Sequence, residues 1–160
     1  MKLCRYLFLL LVCVLVSCND GGNDPDAVII ASSIVADKFG QETDRFVVGD
    51  DVVITVSIRN TGSISSIIKF TAPLVSIQIY SEDGATLIFD PNFGIGFPQV
   101  VQEQFIGSQS EITHVLTWRG IDNSGIQVSP ARYQVKVRIN GVEKGGDAIQ
   151  DPESTSILLL

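Results

Sequence analysis

Few residues of this chain belong to the types that do chemistry, because its 160 residues include only three cysteines and one histidine. Numbers this small exclude most zinc sites and the nucleophilic triads that need a histidine. His114 shares one face of a predicted strand with Ile112, Leu116 and Trp118, so it points to the core or to its rim. We interpret His114 as a packing residue whose hydrogen bonds are satisfied.

Carboxylates are the other candidates for chemistry, since a pair of them can serve a glycosidase. Asp50 and Asp51 are neighbours at the start of a strand, so their side chains point to opposite faces. Asp20, Asp24 and Asp26 lie close together but lack the alternating ligands and the closing glutamate of a calcium loop. No phosphate-binding loop, zinc-protease motif or nucleophile elbow is present in the sequence. The sequence therefore predicts a protein that is not an enzyme and has no cofactor and no metal site.

The first residues are typical of a targeting segment that precedes the folded domain. Residues 1–6 carry two positive charges, and residues 7–16 form an unbroken apolar run. These are the n-region and the h-region of a secretory signal. At 1.5 Å per residue, ten residues cover about 15 Å, which is half of a hydrocarbon core. We therefore expect a signal peptide over residues 1–17 and not a transmembrane helix.

The apolar run ends in Leu15-Val16-Ser17-Cys18, which resembles the lipobox of bacterial lipoproteins. The resemblance implies that the thiol of Cys18 receives a diacylglyceryl group, that the signal is cut just before it, and that the new amino terminus is acylated. Two or three acyl chains anchor a protein stably to a membrane. The other two cysteines leave with the signal, so the mature chain has no free thiol and no possible disulfide.

The segment that follows the cleavage site is typical of a flexible tether. Residues 18–26 are rich in glycine and aspartate and include a proline, which favours neither helix nor strand. Without residues 1–17, nine basic residues remain against eighteen acidic ones, a net charge of −9. This balance argues against nucleic acid as a partner, and it pushes the domain away from an anionic membrane. Residues 27–160 remain as one domain.

From residue 27 onward, alternating apolar positions and recurrent turn signals predict strands and little or no helix. The predicted strands cover residues 52–59, 67–71, 75–80, 85–89, 112–118, 133–139 and 154–160. The predicted turns are Gly49-Asp50-Asp51, Asn60-Thr61-Gly62, Glu82-Asp83-Gly84 and Asn140-Gly141. This rhythm indicates an all-β domain, an immunoglobulin-like antiparallel β-sandwich of about seven to nine strands.

The connection between Asp90 and Ser110 departs from this rhythm. It is rich in glycine and proline, yet it carries Phe93, Ile95 and Phe97, large apolar residues that a solvated linker would not contain. Two interpretations are open: the three side chains plug the end of the sandwich, or they form an exposed contact surface. We expect the plug, because exposed apolar clusters are rare on soluble domains.

Several short motifs make residues 46–139 resemble the BsuPI-type intracellular proteinase inhibitor family. They are Gly49-Asp50 before a strand that ends in Asn60, the strand 75–80 leading to Asp83-Gly84, Phe97, Gln99, Trp118-Arg119-Gly120, Gly125, Val128, Pro130 and Tyr133. The resemblance implies an immunoglobulin-like fold and, by the family's name, protease inhibition. The chain departs from the family in being exported. It also has Ala131 where the family has glycine, which would cost about 1 kcal/mol at a positive φ.

The landmark residues of these motifs have structural explanations. We expect Trp118 to lie across the core between two sheets. Tyr133 follows a proline and resembles a corner tyrosine, whose hydroxyl ties a loop back to the backbone. Gly120 and Gly125 most simply supply the backbone angles of turns.

Two functions remain open for such a domain. The first is a non-catalytic module that binds a protein at the bacterial envelope, anchored by its lipid to the outer membrane or to the outer face of the cytoplasmic membrane. The alternative is a protease inhibitor acting through a loop in 91–104 or 119–130, where Arg119 or Phe97 could serve a specificity pocket. The candidate binding residues for either function are Phe93, Ile95, Phe97 and Arg119. We favour the first, because export separates this chain from the role that the family's name implies. A spacer without a tight ligand is a third possibility.

Overall fold

A computed structural model describes residues 27–143 and 145–160 of the chain. The predicted signal peptide, the lipidation site at Cys18 and the predicted tether lie outside the described residues. The described residues form nine β-strands and no helix, and so contain no helix that could cross a membrane. The strands are β1 (Ile29–Ala36), β2 (Arg45–Phe46), β3 (Val52–Asn60), β4 (Ser66–Ser81), β5 (Leu87–Phe89), β6 (Gln102–Ile106), β7 (Glu111–Trp118), β8 (Arg132–Val142) and β9 (Thr155–Leu159).

Strand β3 is the centre of a three-stranded antiparallel sheet, sheet A, in the order β1-β3-β7. Its apolar residues Val52, Ile54, Val56 and Ile58 are fully buried, and the residues between them are more exposed. Successive side chains of a strand point to opposite faces, so the alternation in sequence becomes one buried and one solvated face. The strand predicted over 52–59 is confirmed.

Sheet B contains the other six strands, in the order β2-β9-β8-β4-β5, with β6 paired to the first part of β4. Strand β4 runs over sixteen residues, and its register against β8 shifts between Phe70 and Val75. Pro73 lies in this interval, where its missing N–H removes no regular ladder bond. Strand β4 therefore combines the two strands that the sequence predicts over 67–71 and 75–80.

The core lies between the two sheets and joins buried aliphatic side chains from both into one cluster. The last strand contributes Ile157 and Leu159, which are almost fully buried, as the apolar run 154–160 predicts. Among the described residues, the buried members of the cluster run from Ile29 to Leu159. The two sheets that enclose this core define an immunoglobulin-like β-sandwich.

Trp118 and Tyr133 close one end of this core. The indole is fully buried and meets the tyrosine ring edge-on, with the ring centroids 5.5 Å apart and the planes at 71°. The indole Nε1 donates to the carbonyl of Ile121 at 2.7 Å, and the tyrosine hydroxyl donates to the carbonyl of Ser129 at 2.7 Å. The expectations of a core tryptophan and a corner tyrosine are both confirmed.

The turn predicted at Asn140-Gly141 is wrong, because both residues lie inside β8. The Asn140 amide donates to the carbonyl of Pro73 at 2.9 Å. A Cβ on Gly141 would lie 2.5 Å from Cγ2 of Ile68, so the glycine allows the strand to approach the core closely. The pair Asn-Gly has the composition of a hairpin turn, but tertiary packing assigns its two residues other roles.

The sequence prediction omits three strands, β1, β2 and β6. Strand β6 lies inside the connection from Asp90 to Ser110, and its two apolar residues are adjacent, so no alternation marks it. Its strand conformation is stabilised by hydrogen bonding to β4 and not by its own sequence pattern. The glycine-to-alanine departure at residue 131 causes no strain, since Gln109 is the one non-glycine residue with a positive φ in the described part of the chain.

Candidate interaction surface at the far end of the sandwich

The two ends of the sandwich differ in their relation to the start of the described chain. Strand β1 begins at Ile29 opposite Asn60, and we call this the near end. It finishes at Ala36, close to the pair formed by Val52 and Trp118, and we call this the far end. Eight strand residues span about 26 Å. The far-end loops therefore lie about one strand length away from residue 27, where the described chain begins.

Two loops of the far end are joined by hydrogen bonds of Asn123. The Asn123 side-chain oxygen accepts from the backbone N–H of Asp90 at 2.8 Å. The backbone N–H of Asn123 donates to the carbonyl of Ile88 at 3.0 Å. These bonds join loop 119–130 to the start of the segment 91–104, whose last residues, 102–104, belong to β6 and pair with the first part of β4.

The first of these loops exposes its apolar side chains. Phe93 is 63% exposed and Ile95 is 55% exposed, while Phe97 is half-buried. The expectation that these residues plug the sandwich is therefore wrong for Phe93 and Ile95. The reason is that Trp118 and Tyr133 already close the core at this end, so these side chains are not needed to cover it.

Polar side chains hold the loop in shape. The Asp90 carboxylate accepts from the backbone N–H of Asn92 at 2.8 Å and from the amide of Gln78 at 2.7 Å. Gly94 has a φ of 75°, which a residue without a Cβ adopts at little cost. The exposed apolar residues thus stand on a segment whose backbone is fixed by short-range bonds.

Loop 119–130 carries a further exposed apolar residue, Ile126, which is not among the candidate site residues predicted from the sequence. Ile126 is 65% exposed and follows the turn closed by Asp122, whose carboxylate accepts from the N–H groups of Ser124 and Ile126. Gly125, at φ 79°, completes this turn as predicted. A single apolar residue after a turn is common on protein surfaces, so no distinct sequence signal marks Ile126.

Arg119 is tied to the turn that precedes β3. Its Nε donates to a carboxylate oxygen of Asp51 at 2.7 Å, whereas Asp50 accepts from the backbone N–H of Val47 at 3.0 Å. The two adjacent carboxylates thus have separate partners, in agreement with their predicted opposite directions. Arg119 therefore joins two far-end loops. Its hydrogen bond to Asp51 does not involve the segment that carries Phe93.

An open cleft of about 480 Å³ lies beside this turn. Among its lining residues is Phe39, which is 84% exposed and has the ammonium of Lys38 at 5.2 Å from its ring centroid. The sequence reasoning did not single out Phe39. The far end therefore carries exposed apolar side chains on three separate loops.

His114 does not have the satisfied hydrogen bonds that the sequence interpretation expects. Its Nε2 is buried and has no partner among the described residues, and burial lowers the pKa of its imidazole. The residue lies on β7 directly opposite Val56, away from the far-end loops. Within the described chain, no group of three or more His, Cys, Asp or Glu side chains could hold a metal ion.

Comparisons with known proteins give a likeness of fold only. No protein-family model and no curated protein matches the chain. Among solved structures, the CARDB domain of the PF1109 protein from Pyrococcus furiosus, in complex with di-metal ions, is 13% identical, with a TM-score of 0.47, over 84% of this chain and 89% of that one.

Two other solved structures resemble only part of a larger protein. The sporulation control protein Spo0M from Bacillus subtilis is 18% identical with a TM-score of 0.44, over 84% of this chain and 49% of that one. The β-glucosidase EmGH1 from Erythrobacter marinus is 16% identical with a TM-score of 0.46, over 84% of this chain and 16% of that one. The class of this protein, a β-sandwich domain, follows from its own two sheets, and its function is not inferred from these likenesses.

Proposed function

We propose that this chain is a lipid-anchored, non-catalytic domain that binds a protein at the bacterial envelope through the far end of its sandwich. The observation that carries the proposal is the exposure of Phe93 and Ile95 on a loop whose backbone is held by hydrogen bonds. Apolar side chains on a fixed loop lose little conformational freedom on binding, which favours a specific contact.

The direction of the chain supports the placement of this surface. The lipid proposed on Cys18 would be joined to the near end through eight tether residues, 19–26, that span at most about 28 Å. The far end would then face away from the membrane that holds the anchor. A partner with apolar pockets would contact Phe93, Ile95 and Ile126, which are exposed apolar residues of the two joined loops.

The anchor is tested on the full chain in a bacterial host. With a palmitate analogue as the label, the Cys18→Ala chain should lose both the label and its association with the membrane fraction. Cys13→Ala is the matched control and should keep both, because that thiol lies in the part of the signal that is removed. A Cys18→Ala chain that stays labelled would contradict the proposed anchor.

The binding surface is tested by comparing two phenylalanines of equal exposure. A photoreactive residue is placed at Phe93 on the far-end loop or at Phe105 on β6, which is 64% exposed. A discrete cross-linked protein is expected from position 93 and not from position 105. Cross-links of equal yield at both positions, or at neither, would count against a far-end site.

The contact is then measured with the purified partner. Phe93→Ser together with Ile95→Ser should weaken binding about thirtyfold if these side chains are central to the interface. Phe105→Ser should leave the affinity within about threefold, as substitutions outside an interface centre do.

Protease inhibition is the second candidate function, and the same loop favours it. An inhibitor presents a stiff, exposed segment to a cleft, and the segment 90–95 carries the exposed Phe93 and Ile95 and is internally hydrogen-bonded. Residues 27–160 are titrated against serine, cysteine and metalloproteases. Stoichiometric inhibition of one class that is lost in Phe93→Ser would support this candidate, while activity of every enzyme in the presence of excess domain would remove it.

A further inference from the structure

Strand β7 is an edge strand with one complete row of backbone groups facing away from sheet A. The N–H of Asn60 donates to the carbonyl of Ser110 directly opposite, so the even-numbered residues of β7 bond to β3. In an antiparallel pair the residues between them point their N–H and C=O groups the other way. These residues are Glu111, Thr113, Val115 and Thr117, and no hydrogen bond among the described residues reaches their backbone groups.

The opposite edge of the same sheet is partly occupied, which makes the open row on β7 distinctive. The carbonyl of Val35 on β1 accepts from the N–H of Thr43 at 3.3 Å, and Ala36 forms an isolated antiparallel bridge with Glu42. Edge strands are commonly protected by lysine, proline or a bulge. Strand β7 has none of these over its eight residues.

The open row of β7 is complementary to itself. Its outward side chains, continued by the next residue in the same phase, are in order Glu111, Thr113, Val115, Thr117 and Arg119. Read against a reversed copy centred on Val115, glutamate faces arginine at both ends, threonine faces threonine, and valine faces valine. Opposite charges and β-branched pairs placed directly across two antiparallel strands are stabilising.

We propose that β7 pairs antiparallel with β7 of a second copy of this chain, in the register that places Val115 opposite Val115. The contact is two-fold symmetric, as expected for an isologous dimer, and it joins two copies of sheet A into a continuous six-stranded sheet. Val115 is 62% exposed in the single chain, and it becomes the centre of the interface. Arg119 uses Nε for Asp51, and no hydrogen bond among the described residues uses its terminal nitrogens, which the partner's Glu111 could accept from.

Apart from Arg119, this pairing uses residues outside the far-end loops, so tests at Glu111 and Val115 are independent of the proposed function. Because the paired strands are antiparallel, the near ends of the two copies point in opposite directions. Two lipid-anchored copies would therefore pair across two facing membranes, with each far end directed away from the membrane that holds its own anchor.

The register is tested by cysteine cross-linking of residues 27–160, which contain no native cysteine. In the proposed pairing, the two Cα atoms of residue 115 are about 5.5 Å apart, which suits a disulfide. The two copies of residue 113 are about 14 Å apart, which does not. Mild oxidation should therefore convert Val115→Cys to a covalent dimer and leave Thr113→Cys monomeric. Equal cross-linking of both variants, or of neither, overturns the register.

The charge pairs are tested by sedimentation of the unlinked domain. Glu111→Arg or Arg119→Glu alone should weaken the dimer about tenfold or more, and the double variant should return it to within about threefold of the original. Glu153→Arg, which makes the same charge change on the side of β1, should have no effect.

Val115→Pro is a second variant that should abolish the dimer and leave sheet A intact. The N–H of residue 115 faces the open edge, so a proline there removes no bond to β3. Circular dichroism should show an unchanged fold while the dimer is lost. A native chain that stays monomeric at about 200 μM overturns the proposal, and so does a dimer that tolerates the proline or that lacks rescue in the double charge variant. If the chain stays monomeric but its β7 edge binds strand-forming peptides of other sequences, the proposal is overturned, and the partner of this edge is another protein.

Discussion

The near end and the far end of the sandwich are closed by different chemistry. At the near end, Asn60 is fully buried and its side-chain oxygen accepts from the N–H groups of Val28 and Gly62, while its amide donates to the carbonyl of Ile64. At the far end, the closing group is Trp118, which has one polar atom and one hydrogen bond.

This difference indicates which substitutions each end of the sandwich can tolerate. One buried amide organises the near-end backbone through three hydrogen bonds, so that end depends on a polar network. The far end is closed by the tryptophan and tyrosine rings, and its loops are not needed to cover the core. Exposed apolar side chains such as Phe93 can therefore serve contact with another molecule without opening the core.

The largest expected effect comes from removing the aromatic closure. Trp118→Ala should lower the free energy of unfolding by about 3–5 kcal/mol, because it leaves a cavity in a packed core. Urea unfolding followed by far-UV circular dichroism measures this, since the variant has no other tryptophan to report fluorescence. Trp118→Phe keeps part of the ring and should cost clearly less; equal losses would mean that the Nε1 bond, and not packing, closes the far end.

A smaller loss is expected from Asn60→Ala at the near end. It leaves buried backbone groups without a partner and should lower the free energy of unfolding by about 2–3 kcal/mol. The matched far-end variant is Asn123→Ala, whose amide group is only partly buried and should cost about 1 kcal/mol. Calorimetry of both variants tests the comparison, and a reversed order would contradict it.

Tyr133→Phe separates the hydroxyl of the corner from its ring. It removes one bond, to the carbonyl of Ser129, and keeps the edge-to-face contact with Trp118. We expect a loss of about 1 kcal/mol in the free energy of unfolding by chemical denaturation. A loss as large as that of Trp118→Ala would show that the hydroxyl, rather than the ring pair, holds the far end.

The smallest effect is expected midway between the ends, at His114. Burial lowers the pKa of His114 below its ordinary value of 6.5, so the unfolded chain binds its proton at a higher pH than the folded chain does. The free energy of unfolding should therefore fall as the pH is lowered through about 6.5 and stop falling below the folded pKa. His114→Gln should remove this slope between pH 7.5 and 5.5 in urea titrations; an unchanged slope would assign it to other groups.

The candidate site was only partly predictable from the sequence. Phe93, Ile95 and Phe97 were identified because large apolar residues stood in a glycine- and proline-rich connection, but their exposure was predicted wrongly. Exposure depends on whether another residue already fills the end of the core, and Trp118 is distant in sequence from this loop. Ile126 stood out less, since a single apolar residue after a turn is common on protein surfaces.

The sequence by itself determined the class of fold, the central strand β3 and the roles of Trp118 and Tyr133, because alternation and turn residues act over a few neighbouring positions. It also predicts the lipid anchor at Cys18, which lies outside the described residues. Only the tertiary structure decided that Asn140-Gly141 lies within a strand, that the far-end loops are exposed, and that one edge of sheet A is open. These features depend on which distant segments pack together, and no local sequence pattern specifies the free energy of such packing.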